Sequence, residues 1–182
     1  MRKEYKGCAA LIYDEEANQL AELKILDYDA NENSVEVEDL PSLAVGASCE
    51  VLILTAPTPH VYKGRIHKRG GLNKVITLYR GAEAESRHEI RFKIDMPASI
   101  ESLVCDGKPF PLHSPVEIRL VNISKDGMRI RVKQRTLSDG DMIRVRLKAA
   151  GGGKLLTAIA IYHRDVEEYA EYGCSFVGGG DE

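Results

Sequence analysis

Short runs in which apolar and polar residues alternate, cut at close intervals by Gly, Pro, Asn and Asp, fill most of this chain. A period of two puts successive side chains on opposite faces of an extended strand, so each run is committed to one buried and one wet face. Residues 51–55 follow Gly46 and stop before Pro57-Thr-Pro59, residues 60–66 end at Gly70-Gly71, and residues 73–79 end at Gly81. Residues 22–26 and 34–38 bracket a polar turn at 27–33. Strands this short, punctuated this often, predict one small antiparallel barrel across residues 1–80.

The rhythm breaks at residues 81–90, a polar stretch whose local alternative is helix, and a domain boundary is expected there, giving domains 1–84 and 85–182. A second strand series follows at 97–105, 116–121, 128–133, 142–148, 155–162 and 171–177, with a helical turn expected at 165–170. The expected fold class is therefore all-β, two small antiparallel β-barrels in tandem.

Composition narrows the function classes. No apolar run approaches the roughly 18 residues of a membrane span, and the apolar stretch after the N-terminus is too soon followed by Asp14-Glu-Glu to be a secretory signal. A soluble cytoplasmic protein, not integral to a membrane, is expected. Cys8, Cys49, Cys105 and Cys174 form no CxxC pair, and the five histidines lack ligand spacing. Neither a metal nor a cofactor is expected, and the cysteines read as reduced core thiols. No GxSxG, P-loop or HExxH occurs, and the carboxylates cluster in the first fifty residues, so no enzymatic activity is expected.

The formal net charge of −3 hides an asymmetry. Residues 1–50 carry four Lys/Arg against twelve Asp/Glu, and residues 51–80 carry six basic and no acidic side chains. A near-neutral total argues against a nucleic-acid partner and leaves room for one local anion site. Basic residues take every second position in Arg129–Arg135 and again in Arg144–Lys148. Were those two strands paired, both rows could share a sheet face, and something acidic should offset them.

Two patches carry the site. Arg87-His-Glu-Ile-Arg91 lies in the polar stretch, and Asn122-Ile-Ser-Lys-Asp-Gly127 closes one strand and opens the next. Three RxxxR matches occur among thirteen arginines, so that pattern alone is weak. The second patch is rarer, and its Asp126-Gly127 pair is also a strong turn signal, with glycine expected to supply positive φ. Asn122 and Ser124 have equal parity, so their side chains are expected to face the same way. Two guanidiniums opposite a small polar turn suit a compact, flat, doubly anionic ligand. Arg129 and Arg131 are secondary candidates.

Taken together, Arg87-x-x-x-Arg91 and Asn122-x-Ser124-x-x-Gly127, in this order with a strand–turn–strand unit between them, resemble the PilZ domain, the bacterial receptor for cyclic di-GMP. Residues 172–177 also look like its closing strand, and the resemblance covers residues 85–182. Leu43-Ala-Val-Gly46 and Val61-Tyr-Lys-Gly64 are similar to the N-terminal split barrel of two-domain, flagellar-brake-like PilZ proteins, in which the arginine segment joins the two barrels. Asn122 stands where aspartate is commoner, and Ser86 precedes the arginines where many members carry arginine or a hydrophobic residue.

The resemblance implies a cyclic di-GMP receptor and effector with Arg87, Arg91, Asn122, Ser124 and Gly127 as ligand-binding residues. Binding is expected to change the orientation of the two domains and to regulate motility, exopolysaccharide production and biofilm formation. A downstream protein partner, the flagellar motor or the polysaccharide synthesis machinery, is implied. Two alternatives stand beside it: a PilZ-fold protein-interaction adaptor that binds no nucleotide, and a barrel that binds RNA through the basic 60–74 stretch and Tyr62.

Overall fold

The computed structural model describes residues 4–79, 91–150 and 152–178. Among them no helix occurs, and the thirteen strands fall into two compact units, one holding β1–β7 and the other β8–β13. The expected boundary at residues 84 and 85 lies outside the described residues.

The first unit contains β1 (Ala9–Tyr13), β2 (Gln19–Lys24), β3 (Asp27–Asp29), β4 (Ser34–Val37), β5 (Ser48–Leu54), β6 (His60–Lys68) and β7 (Lys74–Tyr79). They pair in the order β2-β1-β5-β6-β7-β4-β3, an antiparallel sheet curled into a half-barrel. The run Ala-Ala-Leu-Ile-Tyr of β1 is buried on both faces, which explains why it shows no alternation. Its turn into β2 is closed by Asp14, whose Oδ1 accepts the backbone N–H of Glu16 and of Asn18, each at 2.9 Å. Part of the polar turn expected at 27–33 is strand, since Asp27–Asp29 pairs with Ser34–Glu36.

The basic stretch 60–74 is largely neutralised within this unit. Lys74 is buried, donates to the carbonyl oxygens of Leu40 and Leu43, and pairs with Asp39 at 2.9 Å. Lys68 shares Asp39, and Arg69 pairs with Glu32. Tyr62, needed as a stacking ring by the RNA reading, is buried with its hydroxyl bonded to that of Tyr5. With Tyr62 buried and Lys68, Arg69 and Lys74 each held by a carboxylate, this stretch does not present the exposed ring beside free cations on which the RNA reading relied.

The second unit contains β8 (Phe92–Cys105), β9 (Lys108–Ile123), β10 (Gly127–Lys133), β11 (Met142–Leu147), β12 (Leu155–Val166) and β13 (Tyr169–Phe176). They close into a barrel in the order β10-β13-β12-β11-β8-β9. Alternation is clean along β10, where Met128, Ile130 and Val132 point into the core and Arg129, Arg131 and Lys133 point out. Residues 165–170 form a strand hairpin in place of the expected helical turn, because Val166 pairs with Tyr169 across a two-residue turn. Cys8, Cys49 and Cys174 are buried, as expected, but Cys105 is exposed beside the Asp106-Gly107 turn.

Strands β10 and β11 are not neighbours, so the two basic rows do not share a hairpin. Carboxylates of the same barrel offset them: Glu171 for Arg131, Glu101 for Arg146 and Glu117 for Lys148.

Candidate functional site

The turn after β9 is built by Ser124. Its backbone N–H donates to the Gly127 carbonyl at 2.8 Å, and its Oγ accepts the backbone N–H groups of Asp126 and Gly127, each at 3.2 Å. The Ser124 side chain is thus turned inward and buried, while Asn122, on β9, is half-exposed. Equal parity does not give them the same surroundings, because the chain leaves the strand at Ser124.

Gly127 differs from expectation in its reason for being glycine. Its φ is not positive. A Cβ at this position would lie 2.2 Å from the carbonyl oxygen of Cys174, on β13, so the residue is glycine to let two backbones approach. The same turn is tied to β13 by the Phe176 N–H donating to the Asp126 carbonyl at 2.9 Å.

One row across the barrel brings the site together. Asn122 lies opposite Lys93 on β8 and Arg129 on β10; Arg129 lies opposite Gly173 on β13, and Gly173 opposite Tyr162 on β12. Gly173 leaves its own position empty, and the Tyr162 ring fills it: a Cβ on Gly173 would sit 2.5 Å from two ring carbons. The ring therefore lies over bare backbone, with 46% of the residue still exposed.

Arg129 Nη2 donates to the Tyr162 hydroxyl at 3.1 Å, and Arg91 reaches the same hydroxyl. Arg129 first, and Arg91 after it, hold the Tyr162 phenol below its usual value of 10, because both favour the phenolate. A shallow depression results, lined by Arg91, Ser124, Gly127, Tyr162 and Gly173 among others. It offers a flat aromatic face, the Arg91 guanidinium and a polar turn, with the Arg129 guanidinium bonded to the tyrosine at its edge.

Of the residues expected from sequence, Arg91, Ser124 and Gly127 come together around this depression, and Asn122 flanks it through Arg129. Arg87 lies outside the described residues. Of the two secondary candidates Arg129 joins the site and Arg131 does not, being paired with Glu171. Tyr162 and Gly173 escape the sequence reading. They are eleven positions apart, and only the pairing of β12 with β13 sets one over the other.

Glu171 secures the neighbouring row. Its buried carboxylate accepts Arg131 Nη2 and Arg164 Nη2, each at 2.9 Å, joining β10, β13 and β12. Arg131 first, then Arg164, hold its carboxyl below the usual 4.5, against the opposing effect of burial. A carboxyl lowered by folding contributes stability that is complete above 4.5 and lost as pH falls through its folded value. Thermal melts of wild type and Glu171→Gln should therefore differ at pH 7 and converge on acidification; a constant gap would remove this assignment.

Among the described residues, no group of three or more His, Cys, Asp or Glu is placed to hold a metal ion, and no helix is long and apolar enough to cross a membrane.

The family model of the PilZ domain matches residues 85–182. Among solved structures, the chain is similar to the Bacillus subtilis inhibitor of motility MotI/DgrA at 14% identity, covering 97% of this chain and 90% of that one, with a TM-score of 0.38. It is similar to Escherichia coli YcgR, solved in complex with c-di-GMP, at 12% identity over 96% of this chain and 77% of that one, with a TM-score of 0.39. For K. pneumonia MrkH in its c-di-GMP complex the values are 12% identity, 95% and 80% coverage, and 0.38. No curated protein matches the chain.

Proposed function

Because the chain belongs to the PilZ domain family, we propose that it is a receptor for cyclic di-GMP, held by Arg87, Arg91, Asn122, Ser124 and Gly127 together with Arg129 and Tyr162. The meeting of Arg91 and Arg129 at the Tyr162 hydroxyl, beside the Ser124–Gly127 turn, carries this reading. Cyclic di-GMP presents two phosphates and two guanine bases. A guanidinium matches phosphate oxygens with its planar fork and also bonds guanine O6 and N7. The exposed face of Tyr162 offers a stacking surface for a base. Asn122 supplies both a donor and an acceptor without adding charge. Ser124 acts through the turn that it holds, and Gly127 through the close approach that it allows.

The reading extends to an effector role. Ligand capture by Arg87 and Arg91 changes the orientation of residues 1–84 relative to residues 85–182. That change controls a downstream protein partner in the cytoplasm, and through it motility or exopolysaccharide production.

Titration calorimetry with cyclic di-GMP tests the reading. Heat is expected for wild type and should be lost or sharply reduced for Arg87→Ala. No heat for wild type, or equal affinity for both proteins, would leave the nucleotide-free adaptor in its place. In the same titration Tyr162→Ala should weaken binding roughly ten- to a hundredfold, since stacking on one ring contributes about 1–3 kcal/mol per base. Tyr162→Phe keeps the ring and should retain most of the affinity. The reverse order of these two variants would mean that the hydroxyl, and not the ring face, meets the ligand.

A further inference from the structure

One row beyond the ligand depression, Arg119 on β9 faces Arg131 on β10, Arg131 faces Glu171 on β13, and Glu171 faces Arg164 on β12. The three guanidinium side chains are 50%, 45% and 65% exposed, whereas the Glu171 side chain is 6% exposed. Next along the strands, Lys133 faces Tyr169, which is 50% exposed. Asp95, paired with Arg119, adds a second carboxylate. Arg119 and Arg131 are like charges set directly opposite one another, an arrangement that is unfavourable unless an anion is shared. Glu171 is a single charge divided between Arg131 and Arg164. Glu117 lines the same surface but is paired with Lys148, so the face keeps an excess of positive charge on a chain whose net charge is −3.

We propose that this outer face of β9, β10, β13 and β12 docks a short acidic segment of a protein partner. Three observations select this occupant. Charge is complementary, and the guanidiniums already meet carboxylates in the geometry that such a segment would repeat. Arginine and tyrosine are the side chains enriched at protein interfaces, while lysine is depleted there. The two rows span about 14 Å across four strands and lie about 7 Å apart along them, roughly an eighth of the ~800 Å² per partner of a standard globular interface. That area fits a linear stretch of several residues.

The probe is a fluorescein-labelled peptide of eight alternating Asp and Glu residues, titrated with the full chain and read by anisotropy at low and physiological salt. Saturable binding is expected, weakened at least fivefold in the double variant Arg119→Glu/Lys133→Glu. Arg144→Glu on β11, a charge reversal outside the face, should change it less than twofold. Absence of binding, equal loss in the Arg144 control, or tighter binding of an eight-nucleotide oligothymidylate would overturn the proposal. Lys133→Glu alone serves should the double variant melt early. Cyclic di-GMP titrations of the same variants keep this result separate from the receptor reading, because neither Arg119 nor Lys133 lines the ligand depression.

Discussion

Replacing Gly127 with alanine is expected to unfold the second barrel well before wild type does. The added carbon would lie 2.2 Å from the Cys174 carbonyl oxygen and 3.3 Å from its carbon. Both are backbone atoms of a paired strand, so relief requires β10 and β13 to part. Overpacking of this kind costs about 1–3 kcal/mol and at times more. Each kcal/mol moves the melting point of a domain of this size by roughly 4–8 °C, so a fall of about 4–24 °C is expected by calorimetry. Gly140→Ala is the contrast. Gly140 has a φ of 91° and open space where a Cβ would go, so its cost is conformational and should be near 1 kcal/mol. A melting point for Gly127→Ala within a few degrees of wild type would refute the close-approach account. The comparison also bears on ligand studies, because a Gly127 variant that fails to bind cyclic di-GMP has first lost the barrel that forms the site.

Removal of the Arg91 guanidinium is expected to weaken cyclic di-GMP binding roughly ten- to a hundredfold, the scale of a lost charge-assisted hydrogen bond of about 1.5–3 kcal/mol. Arg91 precedes the first residue of β8, so one side of its position is fixed by the barrel, and its side chain already meets the Tyr162 hydroxyl. Little ordering is left to oppose binding at this residue. Arg91→Lys separates charge from shape. If the planar fork matters, the lysine variant should lose most of what the alanine variant loses, because an ammonium cannot bond two acceptors side by side. Calorimetry at fixed ionic strength decides it. An unchanged affinity for Arg91→Ala would remove this residue from the site, whatever Arg87 does.

Much of the architecture was legible because alternation and turn residues are local. The strands at 60–66, 128–133 and 142–147 fall where period two and flanking turn residues place them, and the wholly apolar 51–54 falls between Gly46 and Pro57. What escaped depended on distant pairing. β1 shows no alternation because both its faces are covered, and residues 108–115, which hold three prolines and belong to none of the expected strands, form the start of β9. The site divides the same way. Ser124 and Gly127 announce a turn in the sequence, but the reason for the glycine lies on β13, about fifty positions away. Arg129 was readable as one of an alternating basic row. Its distinction from Arg131 was not, since that rests on which cross-strand neighbour is Tyr162 and which is Glu171. Tyr162 had no local signature, because its value comes from an empty position on another strand.

Closure of the second barrel has a consequence for how the protein behaves in crowded solution. A strand at the rim of an open sheet presents unpaired N–H and C=O groups that template another chain, and a closed barrel has no such rim. Within the described residues the first unit is the one that keeps terminal strands, β2 and β3. Both are short, and each carries exposed charge: Glu22 and Lys24 on one, Asp27 and Asp29 on the other. Charged, brief terminal strands resist chain-to-chain addition. Neutralising Asp27 and Asp29 would therefore expose the protein to aggregation through its first sheet while leaving the ligand-bearing barrel intact.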